Sequence, residues 1–360
     1  MKTNKIAILI SGVVLSSQAM AMTIYQDEKN TIDLEGAFLF DYFKPVQFLD
    51  HIFNTSRSTL GFNIEHVVND EWTTDIKFEW DTMTNPPSDG DNGDNFRNRL
   101  GYISLNNDQY GLIRIGKQYS AYHDVAGYMD NLIVFDPDAT PIFSDGKDGG
   151  FLGTARGDKL ITYRNSVGNF NVSAQYGFDY VQNPANTLTR DKNYAVSVSY
   201  GFDSGLTLGA THLVNDVEST IDSNVGFRQE ISTIAAKYNY EAFTVSGAFT
   251  VGNNAHETDL LGYGPTTGKA NLYADATGVD VYAHYYFDNG LRPYVYLSNV
   301  QFDDQALLKD GEREIYSLGL SYHLDSQTII SGEVRETKEN DLGAGKQSDT
   351  LSGVTIIYTF

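Results

Sequence analysis

Apolar and polar side chains alternate with a period of two along most of the chain, in runs of about ten residues that a helical repeat does not fit. In one run Trp72, Thr74, Ile76, Phe78 and Trp80 fall on one face, while Thr73, Asp75, Lys77, Glu79 and Asp81 fall on the other. Tyr194, Val196, Val198 and Tyr200 alternate in the same way with Ala195, Ser197 and Ser199, and Tyr316, Leu318, Leu320 and Tyr322 repeat the theme. The last run sets Val354, Ile356, Tyr358 and Phe360 against Thr355, Ile357 and Thr359, so an aromatic ladder reaches the terminal residue. These runs predict strands, and the chain reads as all-β.

The connectors fall into two kinds. Short ones lie near Asn69-Asp70, Asn106 to Asp108, Asn165 to Asn169, Asp203 to Gly205, Asn239 to Ala242, Asp288 to Gly290 and Asp325-Ser326. Long ones run near residues 44–55, 82–96, 119–156, 181–191, 214–228, 252–277, 302–312 and 337–349. Seven short turns and eight long loops join sixteen strands, with both ends of the chain on the short-turn side. An even strand number with this asymmetry is the signature of a membrane-spanning barrel.

Charge decides which face meets water. Asp75, Lys77, Glu79 and Asp81 cannot form a dry core, and a Lys or Arg turned toward lipid would cost about 2–4 kcal/mol near the midplane. The charged face must therefore line an aqueous interior, and the apolar face with its aromatic ends must meet acyl chains. A soluble all-β protein would invert this arrangement and needs no terminal Phe360. The expectation is a 16-stranded antiparallel transmembrane β-barrel, wide enough for a water-filled lumen.

Residues 1–21 read as a secretory leader: Lys2 and Lys5 precede the apolar run Ile6 to Leu15, and Ala19-Met20-Ala21 supplies the small-x-small cleavage pattern. Residues 22–360 then form the barrel domain. No later stretch offers the roughly 18 apolar residues of a membrane helix, so spanning falls to strands. Cysteine is absent, which removes disulfides and thiol chemistry.

The chain carries a formal charge of −22; without the leader, 47 acidic residues face 23 basic ones, giving −24. That excess excludes nucleic acid as a partner and favours cations. No phosphate-cradling glycine loop or cysteine metal site occurs, and no cofactor or metal is expected. Asp89 to Asp94 resembles a calcium loop in composition, yet Leu100 stands where the closing carboxylate belongs, so a solvated surface loop is the simpler reading. The seven histidines are scattered, and none pairs locally into the nucleophile and base of a barrel hydrolase, the enzymatic alternative.

The third long loop, from about Tyr119 to Arg156, is where selectivity is expected. Tyr122, Val125, Tyr128, Met129, Ile133, Val134, Phe135, Ile142 and Phe151 give it enough apolar surface to pack rather than wander. Packed against the inner wall, it would narrow the lumen. It carries Asp124, Asp130, Asp136, Asp138, Asp145 and Asp148 against Lys147 alone. Strand parity places Arg97 and Arg99 inside on strand four, Arg57 inside on strand two, and Arg156 and Arg164 inside on strand six, with Lys77 beside them. An acidic side of Glu79, Asp124, Asp130, Asp136 and Asp138 facing that basic side sets up a transverse field in a narrow aqueous gap. A sugar-specific channel is the alternative, with Tyr282, Tyr286, Tyr294 and Tyr296 as a possible aromatic track.

These pieces resemble the general diffusion porins of the Gram-negative outer membrane. The resemblance is carried by Thr31 to Gly36, Asn98 to Tyr102, Gly111 to Tyr119, Ile161 to Ser166, Phe287 to Pro293 and Phe360, in that order and over the whole chain after the leader. It implies a homotrimer of barrels, contacts with membrane lipid and lipopolysaccharide, passage of small hydrophilic solutes, and loop three folded into the lumen. By position, Arg99 and Arg156 match the family's basic cluster and Glu79 an acidic wall residue. Gly116 and an outward-pointing Lys117 would serve the trimer contact. Two departures stand out: Ala37 replaces a basic residue of enteric members, and Phe135-Asp136-Pro137-Asp138 replaces their Pro-Glu-Phe-Gly-Gly run. With one cation fewer and an acidic total, cations should pass in preference to anions.

Overall fold

The computed structural model describes residues 21–44, 52–55, 57–82, 96–143, 148–181, 188–219, 226–257, 273–303, 311–340 and 346–360. Residues 1–20 of the leader, the acidic run at 89–94, Asp145 and Lys147 lie outside them.

Sixteen antiparallel strands form one closed sheet: β1 (Asn30–Lys44), β2 (Ser58–Val67), β3 (Trp72–Thr82), β4 (Phe96–Asn107), β5 (Gly111–Tyr119), β6 (Arg156–Val167), β7 (Phe170–Gly177) and β8 (Leu188–Gly201), then β9 (Leu206–Ser219), β10 (Phe227–Tyr240), β11 (Phe243–Glu257), β12 (Tyr273–Tyr285), β13 (Leu291–Phe302), β14 (Glu312–His323), β15 (Thr328–Asn340) and β16 (Gln347–Thr359). Each pairs with its sequence neighbours, and β16 closes on β1, with Ile357 opposite Leu39 and Thr359 opposite Ala37. Phe360 exchanges backbone hydrogen bonds with Gly36, at 2.9 and 3.0 Å. The short segment Met22–Gln26 continues that edge, with Met22 opposite Leu34. Closure leaves no unpaired edge, which is the condition for a sheet in lipid.

All seven short turns fall where the sequence places them. The strands run further toward the long-loop end than alternation alone indicates: β9 reaches Ser219, β11 reaches Glu257 and β15 reaches Asn340. Polar cross-strand pairs carry these extensions, such as Arg228 with Asp216 and Asn299 with Glu312.

The faces are as the pattern demands. Val196, Leu318, Leu320 and Tyr358 are exposed on the outside, while Ala195, Ser317, Ser321 and Thr355 are buried on the inside. Inside the barrel, a further layer of side chains comes from the segment between β5 and β6.

Candidate functional site

Loop three, described over residues 120–143 and 148–155, packs against inward-facing side chains of the barrel wall and is tied to it at several points. Its first part includes the single turn α1 (His123–Ala126) and packs Tyr122, Val125, Met129 and Ile142 against Leu213, Ile231, Tyr282 and Ile315 of the far wall. Fully burying an apolar side chain of this size contributes about 1.5–3 kcal/mol, which offsets the cost of ordering the segment. Further along, Ile133 packs on Leu39, Ile329 and Ile357, so the loop spans from β8 round to β1.

Polar ties fix its height. The Tyr122 hydroxyl lies 3.0 Å from Thr233 Oγ1, and Arg164 Nε donates to Asp124 at 2.8 Å. Arg57 grips Asp41 through two hydrogen bonds of 2.9 and 2.6 Å and donates a third to the Ile133 carbonyl at 2.9 Å. Arg335 donates to the Asp136 carbonyl at 2.9 Å. Asp280 accepts the Thr140 N–H at 2.7 Å and the Tyr296 hydroxyl at 2.6 Å, and that hydroxyl accepts the Asp138 N–H at 2.7 Å. Arg313 bridges Asp138 at 3.1 Å and Glu339 at 2.8 Å. Every backbone group in these ties would otherwise stand unpaired in a confined space.

The wall opposite is a ladder of alternating charge. Lys77 pairs with Glu35 and Glu79, Arg99 with Glu79 and with Asp81 at 3.3 Å, Arg97 with Asp81 at 2.9 Å, and Arg114 with Asp75 at 3.8 Å. Arg114 also covers the Tyr102 ring at 4.0 Å. Strict alternation would send Arg99 outward with Ile103; the pairing slips at Glu79/Trp80, so Leu100 and Asn98 take consecutive partners and Arg99 is the extra residue. That bulge brings both Arg99 and Arg97 to the inner wall.

A second irregularity lies at the root of loop three. Gly116 has φ +130° and the β5–β6 register slips between Gly116 and Gln118. A Cβ on Gly116 would collide with the Gly101 carbonyl, so the position demands glycine for backbone reasons. The same slip corrects the expectation of an outward Lys117: that side chain is buried and paired with Asp148 at 3.0 Å and Asp158 at 2.8 Å, closing the stem of the loop. Burial alone would push the Asp148 carboxyl up, but Lys117 and Arg156 beside it hold it below its ordinary value. Arg156 stands 4.0 Å from Asp148 and 5.3 Å over the Phe143 ring.

The residues predicted for the basic side do not form one cluster. Arg97, Arg99, Lys77 and Arg156 line the wall near the loop root, whereas Arg164 and Arg57 are fastened to Asp124 and Asp41. Arg57 precedes β2 rather than lying on it. On the acidic side, Glu79 belongs to the basic wall's own ladder, Asp124 and Asp138 are anchors, and Asp130 lies 3.4 Å from His123. Asp136 differs from the rest. Among the described loop aspartates it alone is exposed, and it has no ion pair within 4 Å among the described residues. Enclosure by the barrel raises its pKa, against the opposing pull of Arg57 and Arg335.

Sequence reasoning missed Arg313, Arg335 and Asp280, which hold the loop from the opposite wall, and Glu333, which pairs with Arg335. Their inward parity was legible; their partners were not. Tyr282, Tyr294 and Tyr296 do face inward, yet they lie buried beneath loop three, with Tyr294 donating to Glu333 at 2.9 Å. They form no open track for a sugar ring. One histidine pairing was also missed: His212 Nδ1 lies 2.9 Å from Ser232 Oγ on the exposed face. The ring makes no second hydrogen bond among the described residues, so the orienting group of a hydrolase site is lacking there.

A closed antiparallel barrel with an apolar exterior, an ionised interior and a loop packed against its inner wall defines the class of channel-forming outer-membrane barrels. The model of the Gram-negative porin family matches residues 15–342, and the chain belongs to that family. It is an outer-membrane protein. The chain is 26% identical to outer membrane porin F of Escherichia coli O6:K15:H31 over 376 residues, and 27% identical to outer membrane porin C of Enterobacter cloacae over 391 residues, each match covering all of both chains. The fold superimposes on the OmpF of Salmonella typhi solved with daunomycin, with a TM-score of 0.72 at 20% identity over 94% of this chain and all of that one. It also superimposes on the anion-selective porin of Comamonas acidovorans, with a TM-score of 0.70 at 16% identity over 92% of this chain and all of that one.

Proposed function

We propose that the protein is a general diffusion channel for small hydrophilic solutes that passes cations in preference to anions, and that loop three is its constriction. The observation that carries this reading is the charge left over after pairing. Each basic residue of the wall beside the loop lies within 4.0 Å of a carboxylate, while Asp136 is exposed without an ion pair among the described residues. A fixed negative charge in a narrow, low-dielectric gap concentrates counter-ions and repels co-ions. Asp130, with only a histidine beside it, adds to the same sign.

The working unit in this reading is a homotrimer freed of residues 1–21, with its apolar exterior against lipid and its long-loop end among lipopolysaccharide. The buried tyrosines favour a general channel over a sugar-specific one. Planar-bilayer recording under a KCl gradient tests the proposal. The expected reversal potential has the cation-selective sign; an anion-selective sign, or strong block by a single sugar, would overturn it.

A further inference from the structure

Below the loop, toward the short-turn end, the inner wall carries a second group of charges that the channel reading does not use. Lys237 of β10, His284 of β12, Arg292 of β13 and His323 of β14 share the inward face. Lys237 is buried, as are the inward neighbours Tyr282, Tyr294 and Ser321, while His284, Arg292 and His323 are half-buried. The register places them together. Lys237 opposes Ser246, which opposes Tyr282; His284 opposes Tyr294, two residues from Arg292; Arg292 opposes Ser321, two residues from His323. The charges of Arg292 and Lys237 and the His323 ring all bear on His284.

Among the described residues these groups make no ion pair. Lys237 is only 3% exposed and makes no ion pair or hydrogen bond among the described residues. Arg292 Nε and Nη2, His284 Nδ1, His323 Nε2 and the Tyr282 hydroxyl are buried and likewise have no hydrogen-bond partner among the described residues. Glu333, a carboxylate of the same wall, is already engaged by Tyr294 and by Arg335 at 3.2 Å. Lys237, Arg292 and several convergent donors, drawn from four of the five consecutive strands β10 to β14 in a chain of net charge −22, are what a small tetrahedral oxyanion requires. Burying such a cluster without a counter-charge is costly, and an anion bound among the donors would remove that cost.

We infer that Lys237, Arg292, His284 and His323 form a binding site for a small tetrahedral oxyanion, of the phosphate or sulfate class, on the inner wall between loop three and the short turns. The site needs no open pore, so it can be tested apart from the channel reading. Titration of the folded, detergent-solubilised protein with inorganic phosphate, followed by calorimetry against a chloride background, should give saturable binding. Arg292→Gln should weaken it at least tenfold, and Asp136→Asn should leave it unchanged. Because Lys237→Met could impair folding, Lys237→Arg serves as the second variant. It keeps the charge and should retain binding within about threefold, where Arg292→Gln does not. Circular dichroism confirms the barrel in each variant. In bilayers, phosphate added on the short-turn side should reduce current at lower concentration than phosphate added on the loop side. Absence of saturable phosphate binding by the folded wild-type protein, or binding that Arg292→Gln leaves intact, would overturn the assignment.

Discussion

Arg313 Nη1 stands 3.1 Å from Asp138 Oδ1, joining a strand residue to a loop residue 175 positions earlier in a place where both side chains are largely hidden from water. Glu339 completes the triad from the neighbouring strand. Removing one member of a buried pair strands the other charges, at a typical cost of about 3–5 kcal/mol. Arg313→Met should therefore lower the melting temperature of the purified barrel and free the second half of loop three from β14. Single-channel recordings should show larger and noisier currents. Adding Asp138→Asn and Glu339→Gln to that variant should recover part of the lost thermal stability, because the stranded carboxylates are gone.

The two neighbouring aspartates of the loop should behave differently. Asp136→Asn removes an exposed charge that supports no contact, so stability should be little altered while the reversal potential under a KCl gradient moves toward zero. Asp138→Asn should do the reverse, costing stability through Arg313 and shifting selectivity less. A strong selectivity loss in the second variant and none in the first would refute the assignment of the lumenal charge to Asp136.

A pH dependence follows from the same residue. Its carboxyl has a raised pKa in the folded barrel, so it takes up a proton at a higher pH than in the unfolded chain. Cation preference should be full above that value and decline as pH falls through it. The stability term has the opposite sense: between the ordinary carboxylate value and the raised one the folded state binds more protons, so its relative stability falls as pH rises through that window. Bilayer measurements at stepped pH should show the decline in wild type and its absence in Asp136→Asn.

The barrel was legible because period-two alternation and turn residues are local signals. The seven turns and the inward parity of Lys77, Glu79 and Asp81 followed from them directly. Arg99 came out on the correct side for an incomplete reason, since simple parity places it outside and a bulge brings it in. Lys117 failed for the same cause: one slipped residue at Gly116 reverses the face, and no run of apolar residues announces a slip. The ties of loop three were illegible in principle. Asp138 and Arg313, or Arg57 and Ile133, meet only after the sheet has closed, and alternation carries no information about pairs so far apart in the chain.

Tyr296 joins Asp280 to the loop backbone through one hydroxyl, donating at 2.6 Å and accepting from the Asp138 N–H at 2.7 Å. Tyr296→Phe keeps the ring and deletes both bonds. Leaving a buried donor and acceptor short of partners costs about 1–3 kcal/mol. A fall in melting temperature, with the far-ultraviolet spectrum unchanged, is the expected result. An unchanged melting temperature would mean that the hydroxyl does not hold the loop.

Gly319 of β14 lies where the Tyr294 ring crosses the neighbouring strand on its way to Glu333, and a Cβ built there would overlap that ring. Gly319→Ala should therefore displace Tyr294 and break its bond to Glu333, with an overpacking cost of about 1–3 kcal/mol. Combining it with Tyr294→Leu should relieve most of the penalty. Equal destabilisation in the single and the double variant, read from denaturant midpoints, would remove Tyr294 as the cause.

Leu318, 68% exposed on the outer face of β14, separates a barrel in lipid from a sandwich in water. On a soluble protein, replacing so exposed a side chain by a charged one changes stability by no more than about 0.5 kcal/mol. In a bilayer an arginine at mid-strand must shed its hydration or distort the lipid around it, at about 2–4 kcal/mol. Leu318→Arg should accordingly shift the urea midpoint of the protein refolded in phospholipid vesicles by an amount in that larger range. The penalty should shrink in detergent micelles, where water reaches the strand more easily. A substitution without effect in vesicles would mean that this face does not meet acyl chains.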